Sequence, residues 1–313
     1  MIDEELDCVV ICEVNVDIVV AGVDGPPRFG AERTVSDVLL TAGSSGVLTA
    51  TGLADLGMRV GVCGMVGDDP FGHYMLDHFQ SRHIDSTGIV VDSSARTGAS
   101  VLLSGQHDRA ILTYPGAMTR FGLSHVRTGM LSRARHLHLS SYFLQVGLQS
   151  DVPALLKHAR ELGLTTSVDT GHDPAEKWNI DGLLEHVDIF VPNHVEALAI
   201  SRATNVSDAL SYFAALVPVV AIKCGSAGAW AARGQEGERV FVPGFAVHAR
   251  DTTGAGDAFD AGFLSGWLAG DELAACVRRG NACGALTAAH VGGTGALSAE
   301  RVGALLAEAA SPA

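Results

Sequence analysis

Apolar runs of strand length alternate with runs of helical spacing along most of this chain. Residues 8–14 read as a buried strand. Val47, Leu48, Thr51 and Ala54 then fall at helical spacing within residues 44–56, and Gly57 supplies the stop. Residues 59–66 predict a strand, and Phe71, Met75 and Phe79 give the next helix an apolar stripe. Helix-then-strand pairs recur at 152–162 with 164–168, at 180–186 with 187–191, and at 207–216 with 217–223. The last third is strongly helical, at 258–268, 273–290 and 299–309. This alternation predicts a mainly parallel sheet covered by helices. Two stretches break the rhythm, at about 19–40 and 97–113. Their β-branched residues and turn formers predict short antiparallel strands inserted between the βα units, the second pair around a turn at 105–108. Together these strands form a small projecting sheet, suited to act as a lid or as a contact between subunits. No linker or internal repeat divides the 313 residues, so a single α/β domain is expected.

Composition narrows the function. Apolar residues make up 47% and charged residues 18%, a globular balance, and a formal charge of −14 disfavours a nucleic acid or an anionic membrane surface as partner. A phosphate ligand would need local donors and a metal, since the overall field repels it and only Lys157, Lys177 and Lys223 are lysines. Six cysteines lie in apolar runs without C-x-x-C spacing, which reads as reduced, buried thiols. With an acidic first segment and no long apolar stretch, the expectation is a cytoplasmic chain that does not span a membrane.

The densest chemistry lies in Asp251-Thr-Thr-Gly-Ala-Gly-Asp-Ala-Phe-Asp-Ala-Gly262, between a strand-like stretch at 239–247 and the helix at 258–268. Gly254, Ala255 and Gly256 fall at a helix start, where free N–H groups and the helix dipole form an anion site. Asp257 sits in the first turn. A loop that only held phosphate would avoid that carboxylate. One that takes a proton from a hydroxyl while stabilising a migrating phosphoryl group needs both. The plainer reading is that Asp257 complements the helix N-terminus.

Other motifs are weaker. No P-loop, no G-x-G-x-x-G after the first strand and no H-E-x-x-H occur. Asn193 and Glu196 share a helical face, fit either to orient waters around Mg²⁺ or to form a capping box. Lys223, Gly225 and Gly228 mark a turn after a buried strand. Asn15 and Asp17 share a face just past the first strand, where open α/β sheets bind ligands, and Gly43 and Gly46 leave room beside them. Asp68 and Asp69 read as helix caps, and His136 and His138 as structural residues on one strand face.

Taken together, these segments resemble the ribokinase (PfkB) family of ATP-dependent carbohydrate kinases over nearly the whole chain. Val14-Asn-Val-Asp17 is similar to the family's sugar-binding strand, and residues 53–57 through 66–72 to its first signature. Asn193-His-Val-Glu196 is similar to its N-x-x-E motif, and residues 251–257 to its second signature. The resemblance implies a three-layer α/β/α sandwich with a small β-sheet lid, and ATP and Mg²⁺ as cofactors. It implies that Asp257 is the catalytic base and that Gly254, Ala255 and Gly256 form the anion hole. Asn15, Asp17 and Gly43 become sugar contacts, while Asn193 and Glu196 govern Mg²⁺ and phosphate placement, Glu196 through water. Lys223, Gly225, Gly228 and Asn281 line the nucleotide pocket, and Asp251 and Thr253 lie where many members hold K⁺.

The chain departs from the family at Ser44 and Leu48, which replace a common Gly and Asn, and at Cys12, which replaces a Gly. The missing amide argues against ribose itself. The implied reaction moves the ATP γ-phosphoryl group to a primary hydroxyl of a sugar or sugar-like ligand, with a homodimer through the lid as one assembly. A nucleoside such as adenosine is the alternative acceptor, with Phe29, Phe121, Tyr142 or Phe143 to stack on its base. A catalytically idle sugar sensor is the other rival.

Overall fold

The computed structural model describes residues 5–23, 25–105, 109–290, 292–293 and 295–308. In chain order the strands are β1 (Cys8–Ile11), β2 (Asn15–Ala21), β3 (Asp37–Ala42), β4 (Val60–Gly67), β5 (Asp85–Asp92), β6 (Gly98–Ser104), β7 (Arg109–Tyr114), β8 (His136–Leu139), β9 (Thr165–Val168), β10 (Ile189–Phe190), β11 (Val219–Lys223), β12 (Gly228–Arg233) and β13 (Arg239–Pro243). The helices are α1 (Ser45–Asp55), α2 (Pro70–Ser81), α3 (Thr128–Leu131), α4 (Val152–Glu161), α5 (His194–Ser201), α6 (Val206–Ala214), α7 (Ala255–Ala269), α8 (Leu273–Ala288) and α9 (Ala299–Glu308).

Strands with near-continuous apolar sequence need cover on both faces, and they receive it. A nine-stranded sheet runs β13-β12-β11-β10-β9-β8-β1-β4-β5, parallel from β11 to β5 and antiparallel at β12 and β13. Val9, Ile11, Leu137 and Phe190 face α4 and α6 through Leu155, Leu156 and Phe213. Val10, Val62 and Ala221 face α1, α7 and α8 through Val47, Leu53, Phe259, Phe263 and Val277. The result is the expected three-layer sandwich. Among the described residues no helix is long and apolar enough to cross a membrane.

The inserted strands form a separate four-stranded sheet, β3-β2-β6-β7. Each insertion is an antiparallel pair, and the two pairs join through parallel β2 and β6. The turn read at 105–108 falls largely outside the described residues. β2 begins four residues after β1 ends, so the chain passes directly from the large sheet into the small one.

Two helix–strand expectations come out shorter. Residues 180–186 form only a 3₁₀ turn, Leu183–His186, because Trp178 and Gly182 on either side of its approach are left-handed, at φ 55° and 74°. The strand after it keeps two residues, Ile189–Phe190. The strand from 239 stops at Pro243, short of 247.

Candidate active site

The C-terminal ends of β1, β9 and β11 converge on the N-termini of α1 and α7. At α7 the turn requires Gly254, whose φ of 73° makes it a left-handed N-cap without a side-chain cap. The N–H of Ala255 donates to the Thr252 carbonyl at 3.2 Å, which closes that turn. The Gly256 and Asp257 N–H groups have no partner among the described residues. Beyond Gly256 a hypothetical Cβ would meet only the Lys223 Nζ, at 3.8 Å, so the backbone lies open to a ligand.

Asp257 is 8% exposed. Burial raises its pKa to about 7, helped by the Asp169 charge and opposed by Lys223 and the Ser45 hydroxyl. One helical turn on, Asp260 is fully buried and accepts from Lys223 Nζ at 3.0 and 2.9 Å. Asp169 Oδ2 accepts from the same ammonium at 2.8 Å. Oxygen atoms of Asp169, Asp257 and Asp260 lie within 4.8 Å of one another, a spacing that suits a metal ion, but Lys223 already occupies the cation's place. Lys223, expected to line the nucleotide pocket, thus commits its ammonium to two acids.

The acceptor side is built from the small sheet. Asn15 and Asp17 sit on β2, buried, and the Asn15 amide donates to Asp17 Oδ1 at 3.0 Å. Burial raises Asp17 to about 6, and that hydrogen bond opposes it. Gly43 packs against the pair so closely that a Cβ would lie 2.1 Å from Asp17 Oδ1. Glu13, between β1 and β2, accepts from the Ser45 N–H at 3.2 Å, while its Oε2 is buried without a partner. Burial and then the Asp257 charge push Glu13 up to about 8.

The departures acquire causes. Ser44 adopts φ 79°, a glycine-like conformation, and its hydroxyl donates to the Glu13 carbonyl. Leu48 is buried, with Cδ1 3.0 Å from where a Gly254 Cβ would be, so it walls the anion loop with apolar surface. Cys12 fills the space that Gly46 leaves: a Cβ at 46 would lie 2.1 Å from the Cys12 Cβ.

Asn193 and Glu196 form a reciprocal capping box on α5. Asn193 Oδ1 accepts from the N–H groups of Val195 and Glu196 at 2.9 and 3.0 Å, and Glu196 Oε2 accepts from the Asn193 N–H at 2.9 Å. Burial and then the Asp169 charge raise Glu196 to about 7. A divalent cation near Glu196 would relieve this crowding of acids, so the donor set fits hydrated Mg²⁺. Asp251 Oδ1 accepts from the Thr253 N–H at 2.9 Å and Oδ2 from the Gly292 N–H at 3.1 Å. Gly225 and Gly228 bound the turn into β12, and the Asn281 amide donates to the Val242 carbonyl at 2.9 Å and the Pro243 carbonyl at 3.3 Å.

Asp69 caps α2 through the Gly72 N–H at 2.9 Å, while Asp68 lies exposed beside His73. His136 and His138 are fully buried and share the Ser167 hydroxyl at 2.7 Å each. Phe121, Tyr142 and Phe143 belong to the core, whereas Phe29 is fully exposed. Sequence reasoning missed Asp169, Asp260 and Glu13. Their signal was a carboxylate at or just past an apolar strand, or one helical turn from Asp257.

The pfkB family carbohydrate kinase profile matches residues 5–300. The chain is 31% identical over 298 residues, covering 94% of itself and 96% of the relative, to an ATP-dependent ribose-1-phosphate kinase of Halopiger xanaduensis. A ribokinase-like protein of Escherichia coli solved with ATP and Mg²⁺ superposes with a TM-score of 0.85 at 23% identity, over 97% of this chain and 99% of that one. An adenosine kinase from Sinorhizobium meliloti superposes with a TM-score of 0.83 at 23% identity, over 98% and 100%. The matched family spans both the small-sheet shelf and the α7 anion turn, and the chain belongs to the pfkB family of carbohydrate kinases as an ATP-dependent sugar kinase.

Proposed function

We propose that the enzyme transfers the ATP γ-phosphoryl group to a primary hydroxyl of a sugar or sugar-like acceptor held by Asn15, Asp17 and Gly43. Asp257 takes the hydroxyl proton as that oxygen bonds to the γ-phosphorus, and the bond from phosphorus to the bridging oxygen breaks to release ADP. At the Gly254–Gly256 turn the Ala255 N–H, expected in the anion hole, is spent on the Thr252 carbonyl, so the open N–H groups of Gly256 and Asp257 receive the phosphoryl oxygens. One observation carries this reading: a buried carboxylate poised near neutral pH lies beside the open backbone of a helix N-terminus. Mg²⁺, when bound near Glu196 and Asn193, supplies charge neutralisation at the phosphates. Gly225, Gly228 and Asn281 border the nucleotide, and Asp251 and Thr253 suit K⁺.

The acceptor shelf continues outward. Asn15 Nδ2 lies 3.5 Å from Ser100 Oγ, which lies 3.1 Å from Thr113 Oγ1. Thr113 opens on a cleft of about 630 Å³ that Gln149, Lys177 and Asn179 also line. Its lining is mainly apolar, with Tyr142, Phe143 and Val146, and sets Asp173 and Asp181 against Lys177, so it gives room to a larger acceptor without favouring a second anionic group. Phe121 is packed in the core, but Tyr142 and Phe143 line this cleft, which keeps the nucleoside alternative open. The small sheet exposes Val38, Leu39, Ile111, Leu112 and Tyr114, which supports a homodimer through the lid, and the buried free thiols suit a cytoplasmic setting.

Asp257→Asn lowers kcat by roughly 10² or more, the worth of a positioned base. Near-full turnover in that variant rejects the assignment. An ADP-release screen over ribose, ribose 1-phosphate, fructose, 2-keto-3-deoxygluconate and adenosine, with and without K⁺, identifies the acceptor. ATP consumption that none of them stimulates would favour the idle sensor.

A further inference from the structure

We propose that Lys223, clamped by Asp169 and Asp260, is the internal counter-cation of Asp257 and a positioning residue for the base, directed at that carboxylate and not at the nucleotide. This rests on the reading of Asp257 as the base. An ammonium has three N–H donors. Here three carboxylate oxygens lie around Nζ: Asp169 Oδ2 at 2.8 Å and both oxygens of Asp260 at 3.0 and 2.9 Å. No donor is left for a phosphate oxygen. The side chain is 9% exposed, and those of Asp169 and Asp260 are 7% and 0%. The clamp is therefore held away from water, where charges act on one another with little screening.

Its position selects the base as the target. Asp257 and Asp260 lie three residues apart on α7, so one helical face presents both to the sheet. Lys223 ends β11 and Asp169 follows β9, and the ammonium spans the short β10 between them. It stops under Gly256, 3.8 Å from that residue's would-be Cβ. Three carboxylates gathered within 4.8 Å oppose one another's ionisation; burial holds Asp260 well above the ordinary carboxylate range and raises Asp257, and the ammonium opposes both. The other groups that act on Asp257 or respond to it are Asp17 on β2, Glu13 between β1 and β2, Glu196 on α5 and the Ser45 hydroxyl on α1. All but Ser45 are acids. Lys223 is the one cation among them.

The two sides of the clamp predict opposite effects. Asp169→Asn removes a neighbouring negative charge and leaves the ammonium, so the base ionises more readily. The acid limb of the kcat/KM profile, taken at constant excess Mg²⁺ and ATP, should move down by about one pH unit. Lys223→Met leaves acids without their cation and should move that limb up by about the same amount, with KM for ATP within about threefold of the wild type. ATP's own ionisation is common to all variants and cancels in the comparison. If Lys223→Met does not fold, as thermal melting would reveal, the isosteric Asp169→Asn variant still decides. Limbs that stay in place, or a tenfold or larger rise in KM for ATP with an unmoved limb, overturn the proposal. Asp257→Asn separates the two claims: if it is inactive while the limbs stay fixed, only the counter-cation role fails. If it keeps its turnover, the reading of the base fails first.

Discussion

Replacing Gly43 by alanine tests the acceptor shelf with a single methyl group. The added Cβ would lie 2.1 Å from Asp17 Oδ1, 2.4 Å from Asp17 Cγ and 2.8 Å from Asn15 Nδ2. Ordinary carbon contacts need about 3.5 Å, so the Asp17 carboxyl must retreat by roughly 1 Å. The 3.0 Å bond from Asn15 to Asp17 does not survive such a shift, because both side chains are buried and have little room to follow. Overpacking of this kind costs about 1–3 kcal/mol of stability. Losing one hydrogen bond between a charged group and the acceptor costs about 1.5–3 kcal/mol. At 1.4 kcal/mol per decade, kcat/KM for the acceptor should fall by about tenfold to 100-fold. The α7 turn is untouched, so KM for ATP should stay within about twofold. Initial rates by coupled ADP release, varying each substrate at saturation of the other, measure both. A Gly43→Ala enzyme that melts like the wild type and keeps its acceptor KM would refute the placement of the acceptor on Asn15 and Asp17. A loss confined to ATP would do the same.

Two further outcomes follow from the packing and the buried acids. Gly46→Ala sets a Cβ 2.1 Å from that of Cys12 and should destabilise by about 1–3 kcal/mol, and adding Cys12→Gly should recover most of that; denaturant melts that show additive losses would contradict this contact. Glu13, Glu196 and Asp257 have folded pKa values raised to about 8, 7 and 7, so the folded state keeps protons that the unfolded chain has already released, and stability should fall as pH rises from about 6.5 to 8.5. The buried histidines His78, His136 and His138, lowered to about 4, 3 and 4, act with the opposite sign but only below about pH 6.5, where the unfolded histidine titrates. A melting temperature that is flat or rising between pH 6.5 and 8.5 would count against the burial of these acids.

Periodicity and turn chemistry made the layers and the small sheet legible, because each depends on neighbours close in sequence. The 180–186 helix failed for a local reason that spacing does not report, the left-handed residues at Trp178 and Gly182. The clamp around Lys223 was illegible for a different reason. Lys223 carried a reading as a nucleotide contact only through the resemblance to the family, and only the folded sheet brings Asp169, 54 positions away, within 2.8 Å of it. Asp260 shows the same limit. One helical turn from Asp257, it was free on sequence grounds to face solvent, and the packing of α7 on the sheet decided otherwise. Leu48 was legible as a missing amide but not as a replacement contact, since its partner Gly254 is distant in sequence.

The orientation of Asp257 depends in turn on how closely α1 and α7 approach. A Cβ on Gly52 would lie 2.8 Å from the Ala261 Cβ, so the helices meet at small residues where larger ones would part them. That approach brings Ser45 close enough for its hydroxyl to favour the ionised Asp257 carboxylate, while the Ser45 N–H holds Glu13. Cys12 against Gly46 fixes α1 on the sheet, and Phe259 and Phe263 fix α7. The base is thus located by contacts along two helices as well as by its own turn. Its geometry should be sensitive to volume changes at positions 46 and 52, which pack against Cys12 and Ala261. In a chain with a formal charge of −14, that rigidity has an electrostatic use. The surrounding field favours neither a second phosphate nor an ionised base, so backbone N–H groups and one buried ammonium must be held in fixed places to offset it.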